Sequence, residues 1–167
     1  IMAAVDAAPG AEVSAECNPA STTAETLGML RNAGVNRISV GVQSLQDGEL
    51  RKLGRLHNAA QAVELIESAH NAGFGNISVD VMLGIPGQTD SLTDTIERLS
   101  ELPVRHISAY MLTLEPATPF GKSPPADMAD DHLMADLYAL CQELCARQGF
   151  AQYEISNFAR EGFQCRH

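Results

Sequence analysis

Asp80 sits in the middle of an apolar run, Asn76-Ile-Ser-Val-Asp-Val-Met-Leu-Gly-Ile-Pro-Gly-Gln-Thr89. A carboxylate in that company is costly unless a side chain or a ligand pairs with it. Side chains alternate along a strand, so Ser78, Asp80 and Met82 share the face opposite Ile77, Val79, Val81 and Leu83. Glu16 and Gln43 fall on the equivalent face of two other strand-like runs. A single buried aspartate is more often a structural hydrogen-bonding residue. Clustered with a second acid and an amide in a concave site, it becomes a candidate for binding or proton chemistry. Other groups point elsewhere. Cys141 and Cys145 have the spacing of a metal pair, but they share an apolar stripe with Leu137 and Leu144 and read as core. His57, His70 and His132 have no partnered spacing and read as surface residues. Gly84-Ile-Pro-Gly87 lacks the Lys and Ser/Thr of a phosphate loop.

The elements that position these groups alternate. Strand-like runs cover Glu12 to Glu16, Arg37 to Gln43, the Asp80 stretch, and His106 to Thr113. Thr22-Thr-Ala-Glu25 reads as a capping box opening a helix through Leu27 and Leu30 to Gly34. A short polar helix follows near Asp47–Leu53. Asn58 caps a longer one with Ala62, Leu65, Ile66 and Ala69 on its apolar stripe and Gly73 as its stop. Leu92, Ile96, Leu99 and Leu102 mark the next. This order predicts parallel strands joined by helical crossovers. Ser14 and Glu16, Ser39 and Gln43, Ser78 and Asp80, and Ser108 and Tyr110 then share one face. The other holds Val13, Ala15, Ile38, Val40, Val42, the Ile/Val set, Ile107, Ala109 and Met111. In a parallel barrel the aliphatic face meets the helices and the polar face points inward, with sites at strand C-terminal ends. Beyond, Glu115 to Pro125 holds four prolines and reads as a loop. Asp127 to Gln148 reads as a helix with Leu133, Met134, Leu137, Leu140, Cys141 and Leu144 inward, followed by a short Tyr153-Glu-Ile-Ser segment.

Composition narrows the classes. The 167 residues suffice for one sizeable core. Eleven basic residues against twenty-one acidic ones give a formal charge of −10, which argues against a nucleic-acid surface. No apolar run approaches the roughly 18 residues of a membrane span. The opening Ile-Met-Ala-Ala-Val has no basic region of a signal peptide. Four scattered cysteines do not make a disulfide framework and suggest a reducing, cytoplasmic setting.

Five blocks carry a family resemblance: Ala15-Glu-Cys-Asn-Pro19, Asn36-Arg-Ile-Ser-Val-Gly-Val-Gln-Ser44, Gly54-Arg-Leu-His-Asn58, Val79 to Thr89, and Tyr153-Glu-Ile-Ser-Asn-Phe-Ala159. In order, they resemble the HemW group of radical S-adenosylmethionine (SAM) proteins, related to the oxygen-independent coproporphyrinogen III oxidase HemN. The resemblance implies an α/β fold, a partial (β/α)6 radical SAM barrel, with its later βα units at 1–116. It also implies a C-terminal helical extension beginning the family's C-terminal region at 117–167. It implies SAM contacts at Glu16 for the amino group and at Asp80 for the ribose hydroxyls. Gln43 and Arg55 match residues near the methionyl carboxylate and ribose, and Thr113 falls near a position at the adenosyl end. A [4Fe–4S] cluster would donate an electron to the SAM sulfonium, releasing methionine and a 5′-deoxyadenosyl radical.

The resemblance further implies a haem chaperone delivering haem to respiratory haem proteins, with decarboxylation of coproporphyrinogen III as the alternative. Cys165 and His167 offer a thiolate and an imidazole, both established haem-iron ligand types. Two family features are missing: the CxxxCxxC loop that holds the cluster and the glycine-rich stretch after the second strand. The expectation is a fragment beginning in the second barrel helix and ending just inside the family's His-Asn-x-x-Tyr-Trp motif at His167. On that expectation the chain alone binds no cluster and performs no radical chemistry.

Overall fold

A computed structural model describes residues 8–166. Its centre is a pair of parallel strands, β2 (Arg37–Gln43) and β3 (Ile77–Leu83). Their aliphatic faces, Ile38, Val40 and Val42 with Ile77, Val79, Val81 and Leu83, are completely buried. Branched residues suit this because they pack well on a pleated surface buried against helices. The strands β1 (Ser14–Cys17) and β4 (His106–Met111) flank the pair, also in parallel. The register places Glu16 opposite Ser39, Ser39 opposite Ser78, and Asp80 opposite Ser108, so the polar inner face is continuous. Met111, expected on the aliphatic face, is 43 % exposed at the C-terminal end of β4, where burial gives out with Tyr110.

The helices cover the aliphatic side. Helix α1 (Ala24–Asn32) packs on α3 (Ala59–Asn71), and α3 packs on β2. The short α2 (Asp47–Lys52) precedes α3, and α4 (Ser91–Glu101) follows β3. Asn58 caps α3 through a reciprocal bond with Gln61, and Ala62, Leu65, Ile66 and Ala69 are its buried stripe. The capping box expected at Thr22–Glu25 is displaced by one residue. Thr23 is the cap, accepting from the Thr26 N–H, while Thr22 Oγ1 accepts from the Asn18 N–H.

Past β4 the chain departs further from the alternating pattern. The proline-rich stretch contains one helical turn, α5 (Pro119–Lys122), with Thr118 as its cap. The long helix α6 (Asp131–Arg147) starts at its cap Asp130, later than Asp127, because Asp127 is held instead by Lys52. Leu137, Cys141, Leu144 and Cys145 are its buried face, and Leu133 in the first turn is 37 % exposed. The short Tyr153 to Ser156 segment is the turn of a hairpin. It joins β5 (Ala151–Gln152) to β6 (Asn157–Ala159), and β6 pairs antiparallel with β4. The strand order is β1-β2-β3-β4-β6-β5.

Arg160, just past β6, ties this end to the rest. Its guanidinium donates to the carbonyls of Ser100, Val104 and Gln148 and lies over the Phe150 ring at 4.3 Å. Among the described residues no helix is long and apolar enough to cross a membrane.

Candidate functional site

The sheet is curled around its polar face. Laid flat, β1 and β6 would stand roughly 19 Å apart, four strand spacings of about 4.8 Å. Yet Ser14 of β1 and Asn157 of β6 line the same cleft, of about 510 Å³. Cys165 Sγ donates to Glu12 Oε1 at 3.3 Å, so the segment after β6 meets the segment before β1 beside the cleft.

Asp80 and Glu16 both face this cleft. Asp80 is half-buried and accepts one hydrogen bond, from Ser39 Oγ at 3.2 Å. Burial pushes its carboxyl above the usual range; the Ser39 bond opposes this, the Glu16 charge adds to it, and Arg37 and Arg55 pull it down. A carboxylate held this way has unused acceptor capacity. Together the two acids suit a ligand presenting hydroxyls and an ammonium group, because both are donors to anionic oxygens.

The remaining expected residues lie outside this cleft. Arg55 and Thr113 line a neighbouring cleft of about 410 Å³ with Met82, Leu112 and Phe120. Met82 follows Asp80 by two residues on β3, so both clefts open on one strand face, and the Arg55 charge reaches Asp80. Gln43 is buried and lines neither cleft. It has φ +68°, alone among the described non-glycine residues, and the β2–β3 register shifts between Val40 and Gln43. A non-glycine residue held in that region costs about 1–3 kcal/mol and is retained where function or packing requires it. Cys165 lines the main cleft, and its backbone N–H donates to the Tyr153 hydroxyl at 3.1 Å. Burial and the bond to Glu12 push its thiol up, with Arg37 opposing. His167 lies outside the described residues.

Three groups escaped the sequence reading. His57, expected at the surface, is 4 % exposed because its ring bonds the Val42 carbonyl at 3.2 Å. His70 and His132 are exposed, as expected. His106 is buried between Ser78 Oγ (2.8 Å from Nδ1) and the Tyr153 hydroxyl (2.7 Å from Nε2). Arg37, 6 % exposed, lines the cleft with its Nε 3.9 Å from Glu12. Both Arg37 and His106 were findable. Carrying the inner-face alternation one step back from Ser39 and Ser108 lands on them.

Residues 1–99 match the Radical SAM superfamily. The chain is 38 % identical over 164 residues to a protein of Haemophilus influenzae named "Heme chaperone HemW", covering 98 % of this chain and 43 % of that protein. It is 37 % identical over 169 residues to a protein of the same name from Escherichia coli, covering 100 % of this chain and 44 % of the relative. The chain thus spans about two fifths of the length of these relatives. Among solved structures, "Coproporphyrinogen III oxidase (HemN) from Escherichia coli is a Radical SAM enzyme" superposes with a TM-score of 0.83 at 26 % identity, over 92 % of this chain and 36 % of that one.

Proposed function

The chain belongs to the radical SAM superfamily, and on that premise we propose that its cleft holds SAM and that it works as part of a haem chaperone. What supports SAM is one observation: Asp80, half-buried with a single protein hydrogen bond, shares the cleft with Glu16. In this reading Asp80 takes the ribose hydroxyls and Glu16 the amino group. Arg55 and Gln43 serve the methionyl carboxylate and ribose side, and Thr113 the adenosyl end. Bound SAM would supply an activated carbon–sulfur bond. This chain's residues bind and orient it, and a bound ribose hydroxyl stabilises the Asp80 carboxylate in its charged form.

The superfamily also implies a [4Fe–4S] cluster, and the described residues do not fit one. Cys141 and Cys145 lie side by side in the core, their sulfurs 4.0 Å apart. The Cys141 contact and burial push the Cys145 thiol far above its usual range. Among the described residues no group of three or more His, Cys, Asp or Glu could hold a metal ion.

The chaperone reading rests on the identity of 37–38 % to the named haem chaperones across nearly the whole chain. It assigns 1–116 to the later part of the barrel and 117–167 to a loop, a long helix and the start of the family's C-terminal region, with Cys165 and His167 as haem contacts. Respiratory haem proteins are its recipients and the cytoplasm its place; all four cysteines are free, which suits a reducing compartment. The second reading, oxidative decarboxylation of coproporphyrinogen III, is favoured by the 0.83 superposition. Incubating the purified full-length, cluster-loaded protein separately with haem and with coproporphyrinogen III decides between them. A haem spectrum that changes in Cys165→Ser or His167→Ala, with SAM binding intact, is expected. Formation of protoporphyrinogen IX overturns the chaperone reading.

A further inference from the structure

Gln43 is the middle residue of a three-residue turn. The Ser44 N–H closes on the Val42 carbonyl at 2.9 Å while Gln43 has φ +68°. Those features match the rarer, strained form of the γ-turn. The turn sends the Gln43 side chain back over Gly41, where a Cβ would stand 3.4 Å from Gln43 Nε2. The Val42 carbonyl carries a second bond, from the ring of His57 at 3.2 Å. A carbonyl only accepts, so the ring nitrogen Nε2 must carry the proton. His57 follows Arg55 by two residues, between the end of α2 at Lys52 and the α3 cap Asn58. The Arg55 charge acts on both His57 and Asp80. A single buried bond therefore joins the strained end of β2 to the loop carrying Arg55.

We propose that His57 is a positioning residue for the SAM site, holding Gln43 in its strained turn through the Val42 carbonyl and fixing the Arg55 loop against it. The proposal rests on the SAM reading above and names a residue with no contact to the ligand. The bland alternative is a core histidine that only adds stability. It differs in its readout: a purely stabilising bond lowers the unfolding midpoint without a loss of SAM affinity that passes through Gln43.

In the full-length protein, His57→Gln keeps a donor at the Nε2 position and His57→Asn does not. SAM affinity by calorimetry is expected to fall roughly tenfold in His57→Asn, the size of one structural hydrogen bond, and to stay near wild type in His57→Gln. In a Gln43→Ala background, His57→Asn should add little further loss, since the two changes act on one element. Equal losses in the two His57 variants, or additive losses with Gln43→Ala, overturn the proposal. A readout without ligand separates it from the SAM reading: exchange of the Ser44 amide proton should quicken in His57→Asn and not in His57→Gln. If Asp80→Ala leaves SAM affinity unchanged, the SAM reading falls, and the exchange result still decides whether His57 holds the turn. Should His57→Asn fail to fold, the nitrogen shifts of the wild-type ring serve. A proton on Nδ1 with a bare Nε2 overturns the proposal.

Discussion

Replacing Asp80 with Asn removes a charge while keeping the side-chain shape, and it should move stability and ligand affinity in opposite directions. The folded chain takes this carboxylate half out of water, returns one hydrogen bond of 3.2 Å from Ser39, and sets Glu16 nearby. Burial therefore holds its folded pKa above the unfolded value, with Arg37 and Arg55 offsetting only part. The sign follows. For a raised folded pKa the stabilising contribution is complete below the ordinary carboxylate range and is lost as pH rises through the folded value.

At pH 7, Asp80→Asn should gain on the order of 1 kcal/mol, the usual return on relieving a strained site. That corresponds to a melting point about 2–4 °C higher for a chain of this size. The same change removes an ionised acceptor from bound SAM. That costs about 1.5–3 kcal/mol, or roughly tenfold to a hundredfold in affinity. Calorimetric melting across pH 4 to 8 tests the first half and isothermal titration with SAM the second. A variant that melts below wild type, keeps the pH slope, or binds SAM equally well refutes the reasoning.

Glu16→Gln should weaken SAM by a similar factor while shifting stability by no more than about 0.5 kcal/mol, because Glu16 is exposed; a changed urea midpoint with unchanged titration would contradict this. Arg160→Met removes bonds to three carbonyls and the contact with Phe150, and should cost about 2–4 kcal/mol in denaturant unfolding. An unaltered midpoint would show that water replaces those bonds freely. Gly84→Ala places a Cβ at φ +79° into the Met134 methyl, and should cost about 1–3 kcal/mol by the same measurement. A neutral result would mean that Met134 swings aside without loss.

Periodicity made the parallel half of the fold legible. The Ile/Val alternation of β2 and β3 is a property of each segment alone, as is the Asn58–Gln61 cap. The inner-face grouping of Asp80 with Glu16 follows from the same alternation and from parallel register. The β5–β6 hairpin was not legible, because Asn157–Ala159 is three residues long and becomes a strand only by pairing with β4. Its Ile155 is 77 % exposed at the turn, so no buried apolar position marks that turn in the sequence. Nor could spacing bury His57, whose partner is a backbone carbonyl fifteen residues earlier, exposed by the irregular end of β2. The separation of Arg55 and Thr113 from the Asp80 cleft likewise depends on where the segments after α2 and β4 settle, which no local pattern encodes.

The hairpin gives the sheet a direction of growth. Among the described residues, one margin is β1, four residues long and in parallel register with its neighbour. The other is β5, a two-residue strand lying antiparallel to β6. A strand that short is a poor template for another chain, whereas β4 without β6 would offer a six-residue edge with Ile107 and Ala109 on one face. Chain synthesis completes β4 some fifty residues before β6, so a nascent chain passes through an interval when that edge is unguarded. Deleting the hairpin should therefore show itself first as aggregation during expression, growing from the β4 margin.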